Sequence, residues 1–103
     1  MPNEENFLET ALDSVGDEET FLQFLLALRD HREASIAQER QIPSSPFGPH
    51  ALGWQNTTIE RYFYTAVRWA RASSQGLPLT DYKPPSNPWR RCADILYAAI
   101  SYE

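Results

Sequence analysis

The chain has 103 residues, with fourteen Asp and Glu against nine Lys and Arg and a formal charge of −5. That length suits one domain, which buries roughly 60–70% of its unfolded surface on folding and so has a core without staples. A composition 42% apolar and 22% charged excludes wholesale disorder, and the lone Cys92 excludes an internal disulfide framework. The net acidity argues against nucleic acid and anionic membranes as partners.

The N-terminus reads Met1-Pro2-Asn3-Glu4-Glu5, acidic where a secretion signal is basic. The longest apolar run, residues 21–28, falls far short of the roughly 20 residues that a membrane span needs. A cytoplasmic chain is expected.

Phe7, Leu8, Ala11, Leu12 and Val15 mark one face of a short first helix, with Asn3 as its cap and Gly16 ending it in the left-handed conformation. Asp17 caps the second helix, with Glu18 and Glu19 in its first turn. Phe21, Leu22, Phe24, Leu25, Leu26 and Leu28 cover most of its circumference, and beyond Arg29 it turns polar up to Pro43. The spacing predicts a helix of about 24 residues, buried in its first half and solvated in its second.

Residues 42–55 hold Pro43, Pro46 and Pro49 and read as a loop. Thr57 and Glu60 then form a capping box for a third helix, whose inward stripe is Ile59, Phe63, Ala66 and Ala70, flanked by Tyr62, Val67 and Trp69. A second loop, residues 76–86, carries Pro78, Pro84 and Pro85. Asn87-Pro88 opens the last helix, with Trp89, Ala93, Leu96 and Ile100 facing inward and Cys92, Ile95 and Ala99 widening that face. The fold class is all-α: a small single-domain bundle of about four helices with two long proline-rich loops. Loops of that length pack on the domain or carry function. Phe47, Leu52 and Trp54 in the first, and Leu77, Leu79 and Tyr82 in the second, are apolar enough to cover the open side of the core.

No phosphate-loop, dinucleotide, nucleophile-elbow or zinc-protease motif is present. His31 reads as a solvated side chain on a polar helix end, and His50 lies in a loop near Ser44 and Ser45 with no orienting third group. Catalytic residues, metal ligands and cofactors are therefore none. Arg90 and Arg91 stand in a helix first turn, where the helix dipole disfavours cations, so they are either paired internally or offered to a ligand. Arg68 and Arg71 join them if the third and fourth helices are neighbours. Eight of the nine basic residues are arginine, suited to bidentate pairing.

Two segments carry a resemblance. Gly53-Trp54-Gln55-Asn56-Thr57-Thr58-Ile59-Glu60, with the prolines before it, resembles the central signature of a family of small bacterial proteins of unknown function. Asn87-Pro88-Trp89-Arg90-Arg91-Cys92-Ala93-Asp94-Ile95-Leu96-Tyr97 resembles its C-terminal signature. The resemblance spans residues 17–103, making residues 1–16 a helical extension, and implies phenylalanine in relatives where Cys92 stands here, hence a core role for that position. It implies no activity or cofactor. The expected function is non-catalytic binding of a protein partner, an immunity-type or accessory role being one form of it. The candidate face is Trp54, Arg68, Arg71, Arg90, Arg91 and Tyr97, on a monomer or weak homodimer. The alternative is a small-anion or nucleotide site between the two proline-rich loops, built on His50, Arg90 and Arg91.

Overall fold

The computed structural model describes residues 4–74 and 81–102. Four helices follow one another: α1 (Glu4–Asp13), α2 (Glu18–Gln41), α3 (Ile59–Ser73) and α4 (Pro88–Ala98). A single 3₁₀ turn, Ala51–Gly53, interrupts the first long loop. Among the described residues no strand forms beyond one bridge, His50 to Trp54, so the all-α bundle is what the chain builds. None of these helices is long and apolar enough to cross a membrane.

Local chemistry sets most of the boundaries. Asp17 accepts the Thr20 amide at 2.9 Å and Thr20 Oγ1 accepts the Asp17 amide at 3.0 Å, a reciprocal box that starts α2 where expected. Hydrogen bonds from the Thr20 hydroxyl and amide hold the Asp17 carboxyl below its ordinary pKa. Asn87 caps α4 by accepting the amides of Trp89 and Arg90, while its Nδ2 donates to the Gly16 carbonyl at 2.8 Å. One side chain thus caps a helix and ties it to the turn between α1 and α2.

Two caps differ from expectation, and a third, Asn3, lies outside the described residues. Gly16 does not adopt a left-handed conformation; α1 closes earlier, with Ser14 and Val15 donating to Thr10, Ala11 and Leu12 carbonyls. The cap of α3 is Thr58, which accepts the Arg61 amide at 3.2 Å, rather than Thr57. With the frame moved by one residue, Glu60 is no longer the third helical residue and cannot close a box.

Leu8, Leu12, Val15, Phe24, Leu28, Trp54, Ala93 and Ile100 form the core, with Phe21, Tyr62, Trp89, Leu96 and Tyr97 packed against it. Residues 1–16 therefore supply three of its buried side chains. The central element is α4, which packs on α1, α2 and α3. Ala93 and Ala99 are fully buried there, and their small side chains permit that close approach. In α2 the buried seam is Phe24, Leu28, His31 and Ser35, so the polar second half is not simply solvated. Leu22 and Leu26, 43% and 45% exposed, lie outside the core. Cys92 is exposed rather than buried, because the neighbouring Ala93 takes the inward position.

The Trp54-to-Asn56 segment closes the far end of α4. Gln55 and Asn56 amides donate to the Ile100 carbonyl, and Asn56 Nδ2 donates to the Ala99 and Tyr102 carbonyls at 2.9 and 3.1 Å. The Ala99 and Ile100 carbonyls follow the last turn of α4, so a buried asparagine and its neighbour satisfy acceptors that the helix end leaves open. The loop before it is pinned at Ala51, whose amide donates to Glu39 Oε1 at 2.6 Å and whose carbonyl accepts the Ser35 hydroxyl at 2.6 Å. Ser44 adds its amide and hydroxyl to the Glu39 carboxylate. Phe47, 97% exposed, does not dock on the helices, in contrast to Trp54. Leu77 and Leu79 lie outside the described residues.

Those donors, led by the Ser44 hydroxyl, lower the Glu39 pKa from 4.5 to about 2. A lowered carboxylate pKa means that the tether is intact above pH 4.5 and is lost as pH falls from there through about 2. The protection of the Ala51 amide, relative to free-chain exchange at the same pH, should fall over that window. Glu39→Gln should raise exchange at neutral pH and remove the pH step. An unchanged Ala51 rate in Glu39→Gln would show that the carboxylate does not hold the loop.

Candidate functional site: an apolar groove between α2 and α3

The residues nominated from sequence do not form one face. Trp54 is buried, 5% exposed, and its Nε1–H donates to His31 Nδ1 at 2.9 Å. His31 is itself 4% exposed, which corrects its reading as a solvated side chain. The bond defines its chemistry: Nδ1 accepts, so that nitrogen carries no proton, and Phe7 and Trp54 rings lie 6.2 Å from the imidazole.

Arg91 is spent internally. Its Nη1 donates to the Ser73 and Tyr82 hydroxyls, each at 3.0 Å, and its Nη2 donates to the Ala70 carbonyl at 2.8 Å. The guanidinium also lies 5.2 Å from the Trp69 ring. It therefore clamps the end of α3, through Ala70 and Ser73, to α4. Tyr82 completes the cluster, stacked edge-on against Trp69 at 5.0 Å and donating to Asp94 at 2.9 Å. Arg90 reaches Asp94 at 2.9 Å and Asp13 at 3.4 Å. Both arginines resolve their unfavourable first-turn position by internal pairing, and the anion site imagined between the loops loses its two main donors. His50 sits elsewhere, exposed, beside the Glu39 carboxylate.

Tyr97 donates to Glu9 at 3.3 Å. Arg68 lies over the Tyr64 and Tyr102 rings, 5.8 and 5.4 Å away, in a cleft of about 300 Å³ that also includes Arg61 and Asn56. Arg71 is exposed. Among the described residues, no group of three His, Cys, Asp or Glu side chains is placed to hold a metal ion.

What the structure does assemble is a groove of about 330 Å³ with almost entirely apolar walls. Leu25, Leu28, Arg29 and Arg32 of α2 form one wall, Ile59, Tyr62 and Phe63 of α3 the other, and Trp54 joins them. The two helices diverge because α3 leans on α4, not on α2. Tyr62 anchors that lean: its hydroxyl donates to the Leu96 carbonyl at 2.6 Å, and burial pushes its phenol pKa up. Trp54 and Tyr62 rings stack 5.8 Å apart. Arg32 packs 5.2 Å from the Trp54 ring and donates to Ser35, with its pKa lowered by the loss of water.

The inward face of α3 corrects the sequence reading. Thr65, Ala66, Trp69 and Ser73 are buried, while Ile59 (73% exposed), Phe63 (59%) and Val67 (47%) face outward. Only Ala66 of the expected stripe is buried. Ser73 can be buried because its hydroxyl donates to the Trp69 carbonyl one turn back, at 2.6 Å. A signal for the groove was present: α3 has two apolar flanks where a core contact needs one, and α2 has apolar residues around most of its circumference. No protein-family model, curated protein or solved structure matches the chain.

Proposed function

We propose that the chain is a non-catalytic protein-binding module and that the groove between α2 and α3, with its apolar flanks, is the contact surface. The exposure of Ile59 and Phe63 in the groove, continued by Val67 along α3 and by Leu22 and Leu26 on the exposed face of α2, carries the reading. Single exposed apolar residues are ordinary, but an apolar groove with further exposed apolar residues on both of its helices resembles the apolar centre of an interface. Two supporting facts concern the other groups. Arg90 and Arg91 are committed to internal partners, and His31 serves as the acceptor for a core tryptophan.

Phe63→Glu tests the reading, since a side chain 59% exposed can be changed without opening the core. With immobilised wild-type chain as the reference, Phe63→Glu should lose specific protein capture while Arg71→Ala keeps it. Retention of every captured protein by Phe63→Glu would place the binding surface elsewhere.

A further inference from the structure

We propose that the occupant of this surface is a second copy of the chain, related by a two-fold axis that runs α2 antiparallel to α2 and α3 antiparallel to α3. The inference rests on the reading of the groove as a protein-binding surface and names its partner. It starts from the register of side chains on both helices.

On α2, Glu19, Leu22, Leu26 and Arg29 are three, four and three residues apart and share the outward face. That series has the same spacing in reverse, and its ends carry opposite charges. An antiparallel second copy therefore sets Leu22 against Leu26 and Glu19 against Arg29, and the two-fold axis repeats each pair. On α3, Ile59, Phe63 and Val67 are four residues apart and centred on Phe63. The same operation sets Phe63 against Phe63 and Ile59 against Val67. Each stripe is thus self-complementary about its own centre, and the proposed dimer places both centres on one axis, the condition for an isologous interface.

Charge supports this occupant. The charged residues lining the groove are Arg29 and Arg32, with no carboxylate beside them in the lining. Arg29 holds Asp30 only through a surface pair at 3.0 Å, both side chains more than half exposed, and such pairs are weak. Glu19 accepts the Gln23 amide at 3.1 Å and is otherwise solvated. Pairing brings a carboxylate to a groove edge that has none. Five partly exposed apolar side chains on each copy make a small surface, in the class of contacts below about 1,200 Å² that associate weakly. A reversible dimer follows.

Sedimentation velocity of the full chain, from about 1 µM to about 500 µM, reads the equilibrium directly. The expected result is a concentration-dependent shift from monomer to dimer. Phe63→Glu, folded by circular dichroism, should weaken pairing by at least about ten-fold. Glu19→Arg and Arg29→Glu alone should each weaken it by about five-fold, because each sets like charges face to face twice. The double variant carrying both changes should recover pairing, which a merely structural role of either residue does not explain. A wild-type chain monomeric throughout overturns the proposal, as does a dimer indifferent to Phe63→Glu or a double variant no better than the singles. A monomer in which Phe63→Glu still abolishes capture of another protein also overturns it, while leaving the groove as a site for a heterologous partner.

Discussion

Replacing Leu8 by alanine is expected to cost about 2–5 kcal/mol. Leu8 is 1% exposed and packs in the one core that also holds Phe24, Leu28 and Ile100. Removing its side chain leaves a hole between α1 and the rest, and α1 is too short to hold itself helical without packing. Total stability for a domain of this size is about 5–15 kcal/mol, so the loss is a large share of it. Chemical denaturation checks this through the midpoint. A loss below about 1 kcal/mol would mean that α1 is a detachable addition and not part of the core.

Arg91→Ala should be nearly as severe, at about 2–3 kcal/mol, because hydrogen bonds to a charged donor carry more than neutral ones. Three acceptors lose their donor together: the Ser73 and Tyr82 hydroxyls and the Ala70 carbonyl. The ring contact with Trp69 goes as well. For about 100 residues this lowers the melting temperature by roughly 10–20 °C. Arg91→Lys should recover little, since a single ammonium cannot reproduce a planar fork reaching α3 and Tyr82 at once. A calorimetric shift under a few degrees would show that water replaces the guanidinium at no loss.

The parts of the fold legible beforehand are those decided by neighbours in the chain. Asp17 and Thr20 are three residues apart, and Asn87 caps amides two and three residues on, so α2 and the start of α4 are placed correctly. The face of α3 was not legible, because its two apolar flanks are equivalent until Tyr62 finds the Leu96 carbonyl 34 residues away. Thr57 and Thr58 are both good caps, and the structure uses the second. His31 was misread for a similar reason. Its neighbours Asp30 and Glu33 face solvent, while its partner, Trp54, arrives from 23 residues away. Cys92 was assigned to the widened inward face by helical spacing and by the resemblance, but the buried face of α4 is narrower, holding Ala93 and leaving Cys92 exposed. For the candidate site, the excess of apolar residues on α2 and α3 was visible, yet which of them stay exposed depends on contacts that no local pattern records.

The way α3 is held has a kinetic consequence. It leans mainly on α4, with Tyr62 as a peg at one end and the Arg91 clamp at the other, and leaves a flank of Ile59, Phe63 and Val67 unsupported. A helix secured along one side opens by local fluctuation well before the molecule unfolds. Its middle amides should therefore exchange with solvent faster than those of α4, which is packed on three sides. Whatever covers the groove will slow α3 first, making the exchange rate of one helix a running report of whether the surface is occupied.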